Sequence, residues 1–145
     1  MIVYRICQTY PPSHNPIDGE GAAKYGGRWN SIGTLMVYTS STLALARSEL
    51  ARHINLDLVP DSFRVYEIDI PEENCLEVKP LPDRWNADPE IEMTKNIGDE
   101  HFKNNKVLSI KVPSVCDEKS YNYLLNPLCD SYHLVKVVKD YPFVA

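Results

Sequence analysis

The sequence predicts a mixed α+β domain, a small mixed sheet with flanking helices. Two observations predict it. Short β-branched and aromatic runs recur between proline and glycine breakers, and one segment carries a clear helical repeat of apolar residues. With no internal repeat, low-complexity tract or long linker, the 145 residues suit one domain over residues 1–145 with a single core.

Residues 2–7 (IVYRIC) read as an opening strand, broken by Pro11-Pro12. From residue 7 to residue 27 the chain is rich in Pro, Gly, Ser, His and Asn. It reads as a long loop, of the kind that is usually functional or disordered. The loop ends in Gly26-Gly27-Arg28-Trp29-Asn30, and residues 34–40 (TLMVYTS) form the next strand. Residues 41–54 are the best-marked helix. Ser40, Ser41 and Thr42 offer N-cap oxygens, and Leu43, Ala46, Leu50 and Ile54 line one face. Thr42, Glu49 and His53 fall on a neighbouring stripe, which places Glu49 where the helix edge meets the core.

Beyond Pro60, residues 62–71 (SFRVYEIDIP) read as a strand closed by Pro71. Pro80, Pro82 and Pro89 divide residues 72–90 into loop, and residues 90–104 predict an irregular helix weakened at Gly98. Residues 106–114 (KVLSIKVPS) form another strand, stopped at Pro113, and residues 132–143 (YHLVKVVKDYPF) return to the sheet.

Composition excludes several function classes. Hydrophobic residues make up 43% and charged residues 24%, as in ordinary globular proteins. No stretch approaches the roughly 20 apolar residues of a membrane span. The start, MIVYRICQTYPP, lacks a basic region ahead of a long apolar block, so no secretory signal is read and a cytoplasmic location is expected. The formal charge is −5 with no basic stripe, which argues against direct nucleic-acid binding but leaves room for a local anion site of one or two Arg. Four Cys and four His are scattered without a C-x-x-C pair, so the expectation is reduced thiols and no metal.

The chemistry concentrates between Gly26 and Glu49. Two glycines before an Arg let the backbone take positive φ and approach a ligand closely. The Arg28 guanidinium is a fixed, charged fork suited to phosphate. Tyr38, on a strand, can stack on a flat heterocycle, and Glu49 can accept hydrogen bonds from a ribose and stabilise a developing cation. Each group alone is more often an ordinary turn, a core aromatic or a solvated helix residue. Together they reach as far as a phosphate and ribose site.

The run GGRWNSIGTLMVYTSSTLALARSEL resembles the RES domain, a family of toxins found beside Xre-type antitoxins. Tyr4-Arg5-Ile6, Val112-Pro113-Ser114 and Asn122-Tyr123-Leu124-Leu125-Asn126-Pro127 resemble further parts of the family, while residues 55–105 match it only loosely. One departure is Cys129, standing two residues beyond Pro127 where family members often have His. The resemblance implies an ADP-ribosyltransferase-like fold and cleavage of the nicotinamide–ribose bond of NAD, with water or phosphate as acceptor. NAD is then the substrate, and no separate cofactor is implied.

By the same resemblance, Arg28 would pair with a phosphate, Tyr38 would stack on the nicotinamide, and Glu49 would stabilise the oxocarbenium-like transition state. Arg5, Gly27, Trp29, Asn30, Ser114 and Asn126 would complete the substrate pocket. The implied partner is an Xre-type helix-turn-helix antitoxin, and a homodimer within the toxin–antitoxin complex is compatible with it. Two alternatives stay open: an ADP-ribosyltransferase that modifies a protein target, and a non-catalytic module that binds NAD or ADP-ribose.

Overall fold

A computed structural model describes residues 1–9 and 14–145, so the Pro11-Pro12 breaker lies outside the described residues. Seven strands form one mixed sheet: β1 (Ile2–Gln8), β2 (Val37–Ser40), β3 (Phe63–Asp69), β4 (Cys75–Glu77), β5 (Ser109–Pro113), β6 (Tyr121–Leu125) and β7 (Lys136–Pro142). Their order is β4-β5-β6-β2-β1-β3-β7. All neighbours pair antiparallel except β4 with β5. The architecture is the predicted α+β one.

Each strand follows from its side chains. β1 and β3 are rich in β-branched and aromatic residues and pair over their full length, from Ile2 opposite Asp69 to Gln8 opposite Phe63. Alternation then divides the core between the two faces of the sheet. On β6, Tyr123 and Leu125 join Val3, Val37 and Ile68 on one side, and Leu124 joins Met36, Ile110 and Val112 on the other.

Three helices flank the sheet: α1 (Glu20–Tyr25), α2 (Leu43–Ala51) and α3 (Glu92–Phe102). The α1 helix corrects the expectation of a continuous loop over residues 7–27. It is a short turn of Ala and Gly without buried residues, so no apolar periodicity announces it. In α2 the predicted cap is Thr42, whose hydroxyl accepts the Leu45 N–H at 3.1 Å. The helix stops at Ala51, short of residue 54, because the Arg52 N–H turns back to the Glu49 carbonyl, an i→i−3 bond. Its fully buried residues are Leu45 and Ala46, while Leu43, Leu50 and Ile54 are half-buried.

Two strands went unread. The three-residue β4 sits inside the expected loop 72–90, and Tyr121–Leu125 carries no alternation to mark it, since four consecutive residues are buried. Such a run is characteristic of a central strand covered on both sides.

Gly98 has the opposite meaning from the one its composition suggests. A β-carbon there would lie 1.6 Å from the Trp29 carbonyl oxygen, so glycine is what lets α3 pack against the backbone of the 27–31 segment. Gly98→Ala is expected to lower stability by about 3 kcal/mol, the upper end for overpacking, because the atom struck is backbone. Urea unfolding of the two proteins measures it, and equal midpoints would mean that this contact is not tight.

Candidate active site

Arg28 stands on a loop that the chain builds in two steps. Gly26 adopts φ 73°, which turns the chain after α1, and Gly27 leaves room for Tyr38. A β-carbon on Gly27 would come within 2.6 Å of the Tyr38 hydroxyl. The close approach expected of these glycines is therefore made to Tyr38, inside the protein.

The loop is then tied on every side. The Trp29 N–H donates to the Tyr38 hydroxyl at 3.1 Å, and that hydroxyl donates to Asn30 Oδ1 at 2.7 Å. Asn30 Nδ2 donates to the carbonyls of Ala22, Ser31 and Thr34. From α3, Lys95 Nζ donates to the Gly27 carbonyl at 2.6 Å, and Asp99 accepts the Ser31 N–H at 3.0 Å. Lys95, Gly98 and Asp99 lie at helical spacing, so one face of α3 grips the whole loop.

Between this loop, α2 and the β1–β2–β6 part of the sheet lies an open cleft of about 500 Å³. Arg5, Gly27, Arg28, Trp29, Tyr38 and Glu49 all border it. These predicted residues come together from β1, the 26–30 loop, β2 and α2.

Three others do not. Asn30 is fully buried and its amide is consumed by three carbonyls, so it holds the loop instead of facing the cleft. Ser114 is fully buried between Pro113 and Val115, which do border the cleft; its hydroxyl accepts the Cys116 N–H at 3.0 Å. Asn126 follows the end of β6 away from Asn122 and borders a second groove, where its side chain donates to Val107 and accepts from Leu128. In each case the side chain caps a turn, which a motif match cannot distinguish from ligand contact. Cys129 is likewise buried in the core cluster with Val3 and Val135, away from the cleft.

The cleft sets the guanidiniums of Arg5, Arg28 and Arg52 among the carboxylates of Glu49, Asp88 and Glu90. Arg28 Nη1 donates to the carbonyls of Trp85 and Ala87 at 2.9 and 2.7 Å, which fixes the plane of the guanidinium. Burial, and then the nearby Arg52 charge, push the Arg28 guanidinium below its usual range, with Glu90, Glu49 and Asp88 opposing. An anion between Arg28 and Arg52 would offset the repulsion between the two charges. Arg5 adds a third guanidinium: its Nη1 donates to the Tyr38 carbonyl at 3.2 Å, while its Nε is buried without a partner among the described residues.

Tyr38 cannot serve as a base near neutral pH. Burial pushes its phenol well above the ordinary range, and the hydroxyl is already engaged at both ends. What remains for a ligand is the ring.

Glu49 is half-buried and meets three donors. Asn122 Nδ2 donates to Oε2, the Cys116 thiol donates to Oε1 at 3.3 Å, and Arg52 Nη1 lies 3.7 Å from Oε1. Burial, and then Glu49, raise the Cys116 thiol above its usual range, so it stands beside the carboxylate as a neutral S–H.

Sequence reasoning missed Ser40, Arg52 and Asn122 as cleft residues and gave His53 no role there, though all four border it. Arg52 and His53 lie three and four residues beyond Glu49, and that spacing is the signal that would have found them. Asn122 lies 73 residues from Glu49, and no local pattern connects them.

The chain matches the RES domain family over residues 2–145. A protein of Photorhabdus laumondii named Toxin Res is 35% identical over 147 aligned residues, covering 99% of this chain and 93% of that protein. A Sphingobium protein named Prs ADP-ribosylating toxin is 32% identical, covering 77% of this chain and 72% of its own length. Among solved structures, a chain of the Mycobacterium tuberculosis MbcT–MbcA toxin–antitoxin complex superimposes with a TM-score of 0.76. It is 14% identical, with 99% of this chain and 84% of that one covered, so the two share a fold.

Tyr38→Phe is expected to lower stability by about 1–3 kcal/mol, since it strands the Trp29 N–H and Asn30 Oδ1 in a buried place. Denaturant titration measures this, and an unchanged midpoint would remove Tyr38 from the account of how the loop is held. The match over residues 2–145 and the near full-length relative together establish that this chain belongs to the RES domain family.

Proposed function

We propose that the chain is the toxin of a toxin–antitoxin pair and that it cleaves the nicotinamide–ribose bond of NAD. One observation carries this reading. A single cleft brings a carboxylate, an aromatic ring and three guanidiniums together, from Glu49, Tyr38, Arg28, Arg52 and Arg5. Those are the groups needed to hold a dinucleotide and stabilise a sugar cation.

In this reading Arg28 and Arg52 grip the pyrophosphate, with Arg5 deeper in the cleft. The Tyr38 ring supports the nicotinamide, held rigid by the same hydroxyl bonds that hold the loop. As the C1′–N bond breaks, its electron pair neutralises the pyridinium and positive charge appears on the ribose. Glu49 accepts a ribose hydroxyl and faces that charge. Water or phosphate then bonds to C1′, and for water a proton is released to solvent. One well-aimed group of this kind contributes roughly 3–4 kcal/mol to the transition state.

The toxin reading is supported by the names of the Photorhabdus and Sphingobium relatives and by the toxin–antitoxin complex among structural neighbours. We infer a cognate antitoxin of the Xre helix-turn-helix type, which would contact DNA in place of this acidic chain, and a cytoplasmic site of action where NAD is abundant. Among the described residues no helix is long and apolar enough to cross a membrane. A second reading, transfer of ADP-ribose to a protein, uses the same cleft and is favoured by the Sphingobium relative's name.

Purified protein incubated with NAD is expected to release free nicotinamide. Glu49→Ala should slow that release by about a hundred- to a thousandfold. Undiminished release by a folded Glu49→Ala variant would sink the assignment, and mass gain on a co-incubated protein would favour the second reading. Arg28→Lys is expected to raise KM for NAD about tenfold or more, because an ammonium cannot reproduce the planar fork that reaches two carbonyls and a phosphate together. An unchanged KM would place the phosphate elsewhere.

A further inference from the structure

Resting on the reading of Glu49 as the carboxylate that faces the ribose, we propose that Asn122 is a positioning residue. Braced by Ser40, it sets the direction in which the Glu49 carboxylate points. The pairing of β2 with β6 places Ser40 directly opposite Asn122. Ser40 Oγ donates to Asn122 Oδ1 at 2.8 Å, and Asn122 Nδ2 donates to Glu49 Oε2.

The order of these bonds matters. With Oδ1 occupied by the serine hydroxyl, the amide can offer Glu49 only its N–H end. A flipped amide would set carbonyl oxygen against carboxylate and leave the hydroxyl facing the NH₂. Ser40 and Asn122 are 4% and 8% exposed, so water competes poorly for either bond.

The two oxygens of Glu49 are treated differently. Oε2 is held by a buried, neutral amide. Among the described residues Oε1 meets only Cys116 and Arg52, at 3.3 and 3.7 Å, both from exposed or half-exposed positions. A substrate hydroxyl can therefore displace contacts at Oε1 while Oε2 stays anchored. Neutrality is also functional. A lysine or arginine in place of Asn122 would orient the carboxylate equally well, but it would cancel the negative charge that a sugar cation needs. The charged and titratable groups around Glu49 are Arg52 on its own helix, Arg28 from the loop, Cys116 from the segment after β5, His53 beside it in the cleft, and Asp88 and Glu90, which border the same cleft from the segment after β4.

The test uses the full chain and three variants: Asn122→Asp, Asn122→Ala and Ser40→Ala. Asn122→Ala is expected to lower kcat for nicotinamide release about ten- to a hundredfold, with KM for NAD within about threefold, because the lost bond acts on a group engaged in the transition state. Asn122→Asp sets a second carboxylate against Oε2, so the acid limb of its rate profile should move up by about one pH unit or more. The carboxyl-carbon NMR resonance of Glu49 should titrate correspondingly higher. Ser40→Ala should move that resonance in the same direction by less, and should slow release about three- to tenfold.

The resonance measurement needs no NAD. A wild-type protein that releases no nicotinamide would therefore fail the NAD reading while the Glu49 titration still decides the role of Asn122. An Asn122→Asp variant with both the wild-type pH profile and the wild-type Glu49 titration overturns the proposal. Should circular dichroism show that Asn122→Asp does not fold, an unchanged Glu49 titration in Ser40→Ala overturns it instead.

Discussion

The touch between the Trp29 carbonyl and Gly98 is the constraint on which the cleft depends. It lets α3 approach the loop at backbone distance, and from there Lys95 and Asp99 reach the Gly27 carbonyl and the Ser31 N–H. Their bonds leave the loop little freedom. Tyr38 closes it from the sheet side, and Asn30 closes it from within. Arg28 therefore projects from a segment fixed at both flanks, and its guanidinium is fixed again by two carbonyls. A long, flexible side chain thus becomes a rigid donor, with most of its rotamer entropy already lost before any ligand arrives.

Charge is distributed to the same end. The chain as a whole carries −5, yet three guanidiniums converge on one cleft. Arg28 feels the Arg52 charge, and the carboxylates of Glu90, Glu49 and Asp88 oppose it. Net charge describes the outer surface and the partners it discourages; it says little about a pocket in which a few side chains dominate the local field. Glu49 is the counter-charge on the α2 wall, 3.7 Å from Arg52, and Asp88 and Glu90 border the same cleft.

The legible part of the molecule was the part with local pattern. β1, β3, β5 and β7 announced themselves by β-branched runs, and α2 by Thr42 and its apolar repeat. The motif from Gly26 to Glu49 gathered at the cleft because one loop, one strand and one helix in succession carry it. The rest depended on contacts across the sequence. Tyr121–Leu125 has no alternation because both of its faces are covered. Gly98 reads as a helix breaker until the Trp29 carbonyl is seen against it. Asn30, Ser114 and Asn126 belong to the same motifs as Arg28 and Glu49, but each spends its polar atoms on backbone, and sequence similarity does not separate a residue that binds from one that braces.

The division between local motif and distant support has a consequence for a chain being made on the ribosome. Arg28, Tyr38 and Glu49 emerge within 22 residues of one another, early in synthesis. The groups that aim them come later: Trp85 and Ala87 for Arg28, α3 for the loop, and Asn122 for Glu49. A nascent chain that has reached residue 80 thus carries all three groups but lacks the supports supplied by Trp85, Ala87, α3 and Asn122. On the NAD reading, an unfinished copy would be harmless to the cell that makes it. Danger would begin only when β6 slots in between β2 and β5, and a partner synthesised alongside would have that whole interval in which to be ready.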